Sequence, residues 1–309
     1  MLPHPALPHP ALPHPALPHP ALLHAVLLHA VLLHAVLPPG VLLRCEQEED
    51  APTARVRAVA ESPRLRLDRS RVRTAVVWHV LRTALEEREG PLDVLDIGGG
   101  TGGFAVPLAD LGHTVTVVDP SPDALAALER RVVEAEGAAG RVRARQGDFA
   151  GLLDVVDPGS ADVVLCHGVL EQVDDPGQAL AGVASCLRPG GLLSLLAANR
   201  SAVVLSRAVA GHFAEARHAL EDPAGRWGDR DPVPRRFTPE ELVSLAGLHG
   251  LDVRRVSGIR VFADLVPGTL VDGEPGAMEA LVELEAAVAD SPAFLAVATQ
   301  VHVLAVAAS

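Results

Sequence analysis

The chain has 309 residues, 49% of them hydrophobic, which is enough to bury one large core or two small ones. Its formal net charge of −13 means that the protein as a whole does not attract a polyanion electrostatically. Any nucleic-acid contact would therefore need a local basic patch. Three cysteines, Cys45, Cys166 and Cys186, are too few and too scattered for a disulfide framework or a zinc site, which favours a reducing, cytoplasmic compartment.

The first 40 residues are an internal repeat with a five-residue period, in which LPHPA occurs four times and LLHAV three times. Neither a helix nor a strand has this period, and the alternate prolines exclude both from the first half. We therefore predict that residues 1–50 are a disordered, low-complexity extension, or the product of a misassigned translation start.

The repeat carries seven histidines, but successive ones would lie about 140° apart around a helix, so we expect no metal site. They are His4, His9, His14, His19, His24, His29 and His34. The apolar stretch Ala21–Leu37 is interrupted by a histidine at every fifth position and is shorter than the roughly 20 residues of a membrane span. No basic region precedes it, so we expect neither a signal peptide nor a membrane segment.

From about residue 71 onward, apolar runs alternate with amphipathic helical stretches, which is typical of βαβ units around a parallel sheet. We therefore predict a single doubly wound α/β domain over residues 60–309. The predicted strands are Leu92–Ile97, Thr114–Asp119, Arg141–Gln146, Ala161–His167, Leu192–Ala198, Leu251–Val256 and Gln300–Ala307. The predicted helices are Arg71–Arg88, one that ends at Leu111, Pro122–Glu136, one from Pro176 to Leu187, Thr238–His249 and Ala277–Ala289.

A glycine-rich run, DIGGGTGG, occupies residues 96–103 between the first predicted strand and the following helix. Its glycines allow a tight turn and a close approach of the backbone, and the helix N-terminus offers free N–H groups to an anionic or polar ligand. Because Gly98, Gly100 and Gly103 also satisfy the dinucleotide pattern G-x-G-x-x-G, the loop by itself leaves a nicotinamide cofactor open.

Acidic residues around the loop separate these possibilities. Asp96 directly precedes the glycines, in a D-x-G-x-G-x-G form that resembles the loop of methyltransferases dependent on S-adenosylmethionine (SAM). Asp119 ends the next strand, where an acid can accept hydrogen bonds from ribose hydroxyls in either class of enzyme. Asp148 and Phe149 follow the third strand, where methyltransferases usually contact adenine, although Asp148 could instead be a simple turn former. Together these features favour SAM.

From residue 73 onward the chain resembles the class I methyltransferases and, more narrowly, the bacterial tRNA 5-carboxymethoxyuridine methyltransferase family. The narrower resemblance is carried by VRTAVVW, LCHGVLEQVDDP, LRPGGLLSLLAAN, AVAGHF, GIRVFADL, ALVELE and the final VHV. It implies a Rossmann-like, seven-stranded, mostly parallel sheet with SAM as the cofactor. The residues expected at the cofactor are Arg73, Asp96, Gly98, Gly99, Gly100, Gly102, Asp119, Asp148, Phe149 and His167. For Arg73 the alternative is a surface arginine, and for His167 it is a structural histidine.

Arginine residues are the candidates for binding the acceptor of the methyl group. A carboxylate acceptor is already ionised near neutral pH and needs no general base, but it does need a cationic clamp. The family resemblance implies Arg200, Arg235 and Arg260 as candidates for this clamp, with solvated surface arginines as the alternative. The chain departs from the family at Ala198, where the family has tyrosine, and over residues 216–237, which would help to shape the acceptor pocket.

Two arginine-rich sections stand out from the acidic remainder and could face RNA. Residues 199–260 contain ten arginines against eight acids, and residues 55–73 contain seven against two. The main hypothesis is methylation of the carboxylate of a modified wobble uridine in tRNA. The alternatives are a small-molecule O- or C-methyltransferase, an NAD(P)-binding oxidoreductase, and a SAM-binding module without catalytic activity. The sequence leaves the oligomeric state open.

Overall fold

The computed structural model describes residues 74–135 and 137–308, except for the side chains at positions 268, 272 and 273. The predicted extension over residues 1–50, its histidines and the expected cofactor contact Arg73 therefore lie outside the described residues. The helices are α1 (Ala75–Glu86), α2 (Ala105–Asp110), α3 (Pro122–Glu134), α4 (Leu152–Val155), α5 (Pro176–Cys186), α6 (Arg200–Val209), α7 (Phe213–Glu221), α8 (Pro239–Leu248), α9 (Gly268–Gly273), α10 (Ala277–Val288) and α11 (Pro292–Leu295). The strands are β1 (Asp93–Ile97), β2 (Thr114–Asp119), β3 (Val142–Gln146), β4 (Ala161–His167), β5 (Leu187–Ala198), β6 (Leu251–Ile259) and β7 (Gln300–Ala307).

The seven strands form one sheet in the order β3-β2-β1-β4-β5-β7-β6. Strand β7 is antiparallel to β5 and β6, and the pairs β1–β2, β1–β4, β2–β3 and β4–β5 are parallel. The chain therefore winds outward in one direction from β1 to β3 and then in the other from β4. Between β1 and β4 this reversal opens a crevice at the carboxyl ends of the strands, which is where such sheets bind ligands. The predicted fold class is confirmed.

Both faces of the sheet are covered, because neighbouring strand residues enter different apolar clusters. Leu95 packs with residues of α5 and α8 on one face, and Val94 packs with residues of α1, α2 and α3 on the other. Burial on both faces explains why the central strands are almost continuous apolar runs instead of alternating patterns.

The predicted bounds of β2, β4 and β7 are confirmed, whereas β5 begins five residues earlier than the predicted Leu192. The reason is that β4 pairs with β5 first at Leu187 and then again from Leu192, with a shift of register between the two points. Helices α6 and α7 were not predicted, although Asn199 before a partly apolar stretch is a start signal for α6. None of the helices in the described ranges has the length and apolarity required to cross a membrane.

Asn199 joins the end of β5 to the segment that precedes β7. Its side-chain amide donates to the carbonyl oxygens of Leu295, Ala296 and Ala298 at 3.1, 3.3 and 2.8 Å, and its side-chain oxygen accepts from the N–H of Ser201. The residue is 1% exposed. One side chain therefore caps α6 and also satisfies buried carbonyl groups.

We expect Asn199→Ala to lower the free energy of unfolding by about 2–4 kcal/mol, because buried carbonyl groups lose their donor and α6 loses its cap. Asn199→Asp should lower it further, since a carboxylate oxygen would then face those carbonyl oxygens. Urea unfolding followed by tryptophan fluorescence measures both variants, with Ser121→Ala at the exposed cap of α3 as the control. An Asn199→Asp variant as stable as wild type would contradict this account.

Candidate active site

The glycine loop after β1 has a backbone that few other residues could adopt. Gly98, Gly100 and Gly102 have φ values of +68°, +54° and +80°. A β-carbon at Gly98 would lie 2.5 Å from Val169, and one at Gly102 would lie 2.3 Å from Leu128. Because the glycines carry no side chains, the loop packs closely on its neighbours and the helix after it can present its free N–H groups to a ligand.

Asp119, at the end of β2, holds this loop in place. One carboxylate oxygen accepts the N–H of Gly100 at 2.9 Å, and the other accepts the N–H of Ser121 at 2.9 Å. Each carboxylate oxygen can accept more than one hydrogen bond, so Asp119 can also accept from a ligand hydroxyl. The acid at the end of β2 thus orders the loop and remains able to bind a ribose.

Asp96, the last-but-one residue of β1, is 3% exposed. Its Oδ2 atom is buried and has no hydrogen-bond partner within the part of the chain that the structure describes. A β-carbon at Gly99 would lie only 2.4 Å from that oxygen, so the carboxyl group is pressed against the glycine turn. Burial, and to a smaller extent the charge of Asp119, raises the pKa of Asp96 to about 7. A cationic ligand group would offset this cost of burial.

The two residues expected near adenine have local roles in the fold. Asp148 is exposed, and its carboxylate accepts the N–H of Gly151 at 3.0 Å, at the turn into α4. Phe149 is half-buried and packs against the apolar cluster on the α5 face. The turn-forming role weighed for Asp148 is therefore present, and contact of either residue with a cofactor stays a prediction.

His167 ends β4 at the crevice and belongs to a polar chain that crosses three strands. Its Nε2 lies 2.8 Å from the hydroxyl of Ser194 on β5, and that hydroxyl lies 2.8 Å from Nε2 of His302 on β7. A single hydroxyl hydrogen cannot serve both imidazoles, so Ser194 couples their tautomers. Burial lowers the pKa of His167 to about 4 and that of His302 to about 3, which keeps both rings neutral near pH 7.

Aromatic side chains also contact the His167 ring. Phe104, directly after the glycine loop, meets it edge to face with ring centroids 4.7 Å apart. Trp78 of α1 stacks on Phe104 at the same centroid distance. Helix α1 is therefore packed against the residue that follows the glycine loop.

A cavity of about 570 Å³ opens beside His167 at the carboxyl ends of β4 and β5. Helix α6, the turn that follows it and the segment after β6 supply much of its wall. Its charged lining residues are Glu171, Arg207, Arg236, Arg260 and Asp264. The cavity lies at the carboxyl ends of the strands, where sheets of this kind bind ligands, so it is the candidate site for an acceptor.

The structure brings one of the three predicted clamp arginines to this cavity. Arg260 lines it, whereas Arg200 and Arg235 line a neighbouring depression of about 460 Å³. Arg200 is held by Glu241 at 2.9 and 3.0 Å, and Arg235 lies 3.4 Å from the carbonyl oxygen of Asp174.

Glu285 positions the loop that contains Arg260, and it was missed in the sequence. Its carboxylate, 1% exposed, accepts the three successive N–H groups of residues 261–263 at 2.9, 2.8 and 2.7 Å. Arg260 itself has a φ of +59°, and its guanidinium binds Asp264 at 2.7 Å. The sequence did contain a signal for this contact, because the two segments that it joins, GIRVFADL and ALVELE, are both among those that carry the family resemblance.

Comparison with known proteins agrees with this geometry. Residues 95–193 match the family described as "Methyltransferase domain". The chain is 30% identical over 242 residues to the tRNA 5-carboxymethoxyuridine methyltransferase of Escherichia coli K12, covering 77% of this chain and 88% of that protein. It is 32% identical over 166 residues to the ubiquinone biosynthesis O-methyltransferase of Xanthomonas euvesicatoria, covering 54% and 65%. A SAM-dependent methyltransferase structure from Mesorhizobium loti superposes with a TM-score of 0.51 at 19% identity, covering 76% of this chain and 99% of that one.

A glycine turn backed by buried acids, at the switch point of a doubly wound sheet, defines an enzyme that binds a nucleoside cofactor. Because the chain is 30% identical to the E. coli enzyme over most of the length of both proteins, it belongs to the class I SAM-dependent methyltransferases. Its cofactor is SAM, as the sequence predicted, and the oxidoreductase alternative is abandoned.

The residues present fit this cofactor. The carboxyl oxygen of Asp96 that no described residue satisfies suits a cationic ligand, and Asp119 can accept from ribose hydroxyls. We assign Asp96, Asp119, the glycine loop and His167 to cofactor binding as a proposal.

We expect Gly102→Ala to weaken SAM binding at least tenfold, because a β-carbon would be strained at φ +80° and would collide with Leu128. Gly103→Ala is the matched control, since no atom of the described residues lies within 4 Å of its β-carbon position. Calorimetric titration with SAM measures both affinities. Equal losses in the two variants would show that ligand crowding, and not the loop backbone, causes the effect.

Asp96→Asn tests the buried carboxyl group through pH. The folded-state pKa of about 7 exceeds the unfolded value, so ionisation of Asp96 destabilises the ligand-free protein progressively as pH rises from about 4 to about 7. We expect Asp96→Asn to be more stable than wild type above pH 7, by up to about 4 kcal/mol, with little difference near pH 4. It should nevertheless bind SAM more weakly at pH 8. Urea unfolding across this pH range checks the sign, and a pH-independent difference would contradict it.

Proposed function

We propose that this enzyme methylates a carboxylate oxygen of an acceptor bound in the 570 Å³ cavity, and that the acceptor is a 5-carboxymethoxyuridine in tRNA. The observation that carries the proposal is Arg260, a guanidinium in the cavity wall whose Nε atom is buried without a partner in the described chain. The 30% sequence identity to the E. coli tRNA 5-carboxymethoxyuridine methyltransferase, which extends over 88% of that protein, supports the choice of acceptor.

The chemistry needs positioning more than proton transfer. SAM supplies a methyl group activated by a positively charged sulfur. A carboxylate acceptor is ionised near neutral pH and attacks the methyl carbon in line with the carbon–sulfur bond, which breaks as the new carbon–oxygen bond forms. The electron pair of the broken bond neutralises the sulfur, so no general base is required.

Arg260 would orient the acceptor for this displacement. Its Nη2 atom binds Asp264, which orients the guanidinium, and its buried Nε atom has no partner in the described chain that would compete with a ligand. Arginine suits the task because its planar group can hold a carboxylate in one orientation. Glu285 supports the arrangement by ordering the backbone directly after Arg260.

A small-molecule acceptor is the second candidate, and the charge pairing in residues 199–260 favours it. Of the ten arginines there, eight form ion pairs with carboxylates, and the remaining Arg230 and Arg235 form none with described residues. Paired guanidinium groups contribute little net charge to a polyanion site. The partial match to a ubiquinone biosynthesis enzyme is consistent with this candidate.

Methyl transfer from labelled SAM to tRNA carrying 5-carboxymethoxyuridine tests the proposal. We expect incorporation as an ester that mild alkali hydrolyses, and an Arg260→Lys variant with at least tenfold lower kcat/KM and unchanged SAM affinity. Arg254→Lys, in an exposed ion pair with Asp252, is the control.

The two acceptor classes separate by salt. RNA methylation should fall steeply between 50 and 200 mM salt, whereas small-molecule methylation should not. No incorporation into the modified tRNA would remove the proposed acceptor, and an Arg260→Lys variant as active as wild type would remove the clamp.

A further inference from the structure

The cavity contains a buried carboxyl group that the methyl transfer does not require. Glu171 lies in the turn after β4, lines the cavity and is 4% exposed. One of its oxygens, Oε1, accepts the N–H of Ala198 at 2.6 Å. The other, Oε2, is buried and has no hydrogen-bond partner among the described residues. Because almost all buried polar atoms in proteins are hydrogen-bonded, this oxygen requires an explanation.

The neighbouring cation does not supply one. Arg236 also lines the cavity, but its guanidinium binds both carboxylate oxygens of Asp231 at 2.7 and 3.0 Å and the carbonyl oxygen of Gly225 at 2.8 Å. These bonds orient Arg236 toward its own loop. The hydrogen bond from Ala198 meanwhile fixes the carboxyl group of Glu171, so Oε2 is held in place.

The same cavity wall contains an unsatisfied donor. The Nε atom of Arg260 is buried and, within residues 74–135 and 137–308, makes no hydrogen bond. Two residues that line one cavity therefore each keep a buried, unpartnered atom, one an acceptor and one a donor, and a ligand that carries an anionic group and also an N–H donor would match them. Groups of opposite polarity on one ligand would satisfy both atoms at once.

We propose that Glu171 is a specificity-determining residue whose Oε2 accepts a hydrogen bond from an N–H of the acceptor while Arg260 binds the acceptor carboxylate. This inference rests on the proposed function and deepens it, since a uracil ring with a carboxymethoxy substituent carries both groups. The imide N3–H of the uracil ring is the donor whose hydrogen bond Glu171 would accept. A hydrogen bond to a charged group corresponds to roughly 10–100-fold in binding, so the contact would discriminate between acceptors.

The test uses two short stem-loop RNAs, one with a 5-carboxymethoxyuridine and one with its N3-methyl derivative, which lacks the imide hydrogen. Wild-type enzyme should prefer the first by at least tenfold in kcat/KM. Glu171→Gln keeps the shape of the side chain, but its oxygen is needed by the N–H of Ala198, so its NH₂ group would face the imide donor. We expect this variant to lose the preference between the two RNAs. Its KM for the RNA without the N3-methyl group should rise at least tenfold, and its SAM affinity should be unchanged.

Glu240→Gln, at an exposed position on α8, is the matched control for loss of one carboxylate. Unchanged SAM affinity in Glu171→Gln shows that the variant is folded. Equal activity of wild type on both RNAs, or an unchanged KM in Glu171→Gln, would overturn the role of Glu171 and leave the proposed function standing. If wild type methylated neither these RNAs nor modified tRNA, the proposed function would fail and this inference with it.

Discussion

The site depends on a turn that glycine alone forms without strain over two buried carboxyl groups. The N–H of Gly100 donates to Asp119, and the β-carbon that Gly99 lacks would occupy the space beside Asp96. Since no described residue satisfies the free oxygen of Asp96, the folded protein keeps a destabilising carboxyl group at its centre. If Asp96 contacts the cationic end of the cofactor, as proposed, binding would relieve this destabilisation and would couple cofactor affinity to stability through one side chain.

Around the cavity proposed for the acceptor, single polar side chains bind several backbone groups at once. Asn199 donates to three carbonyl groups before β7, and Glu285 accepts three N–H groups after Arg260. Each gives an irregular segment the satisfied hydrogen bonds that a strand or helix would have provided. These hydrogen bonds give the loops of the cavity wall a defined conformation, which near-attack positioning of an acceptor would require.

Most of the arginines in residues 199–260 are neutralised by a nearby carboxylate. Ion pairs such as Arg236–Asp231 and Arg207–Glu215 remove guanidinium groups that the composition alone would count as basic surface. The few groups that remain unsatisfied, Glu171 and Arg260, then decide the polarity of the cavity. Selectivity in such a site comes from the placement of individual donors and acceptors and owes little to net charge.

The sequence by itself determined the sheet and the identity of the cofactor. Asp96, the glycines and Asp119 lie close together along one strand–loop–helix–strand path, so periodicity and turn chemistry predict both the elements and a nucleoside site among them. Only the tertiary structure decided which side chains line the cavity proposed for the acceptor. It separated Arg260 from Arg200 and Arg235 and revealed Glu171 and Glu285, because ion pairs and cavities join side chains far apart in the chain, and local sequence is the same whether an arginine lines a cavity or pairs at the surface.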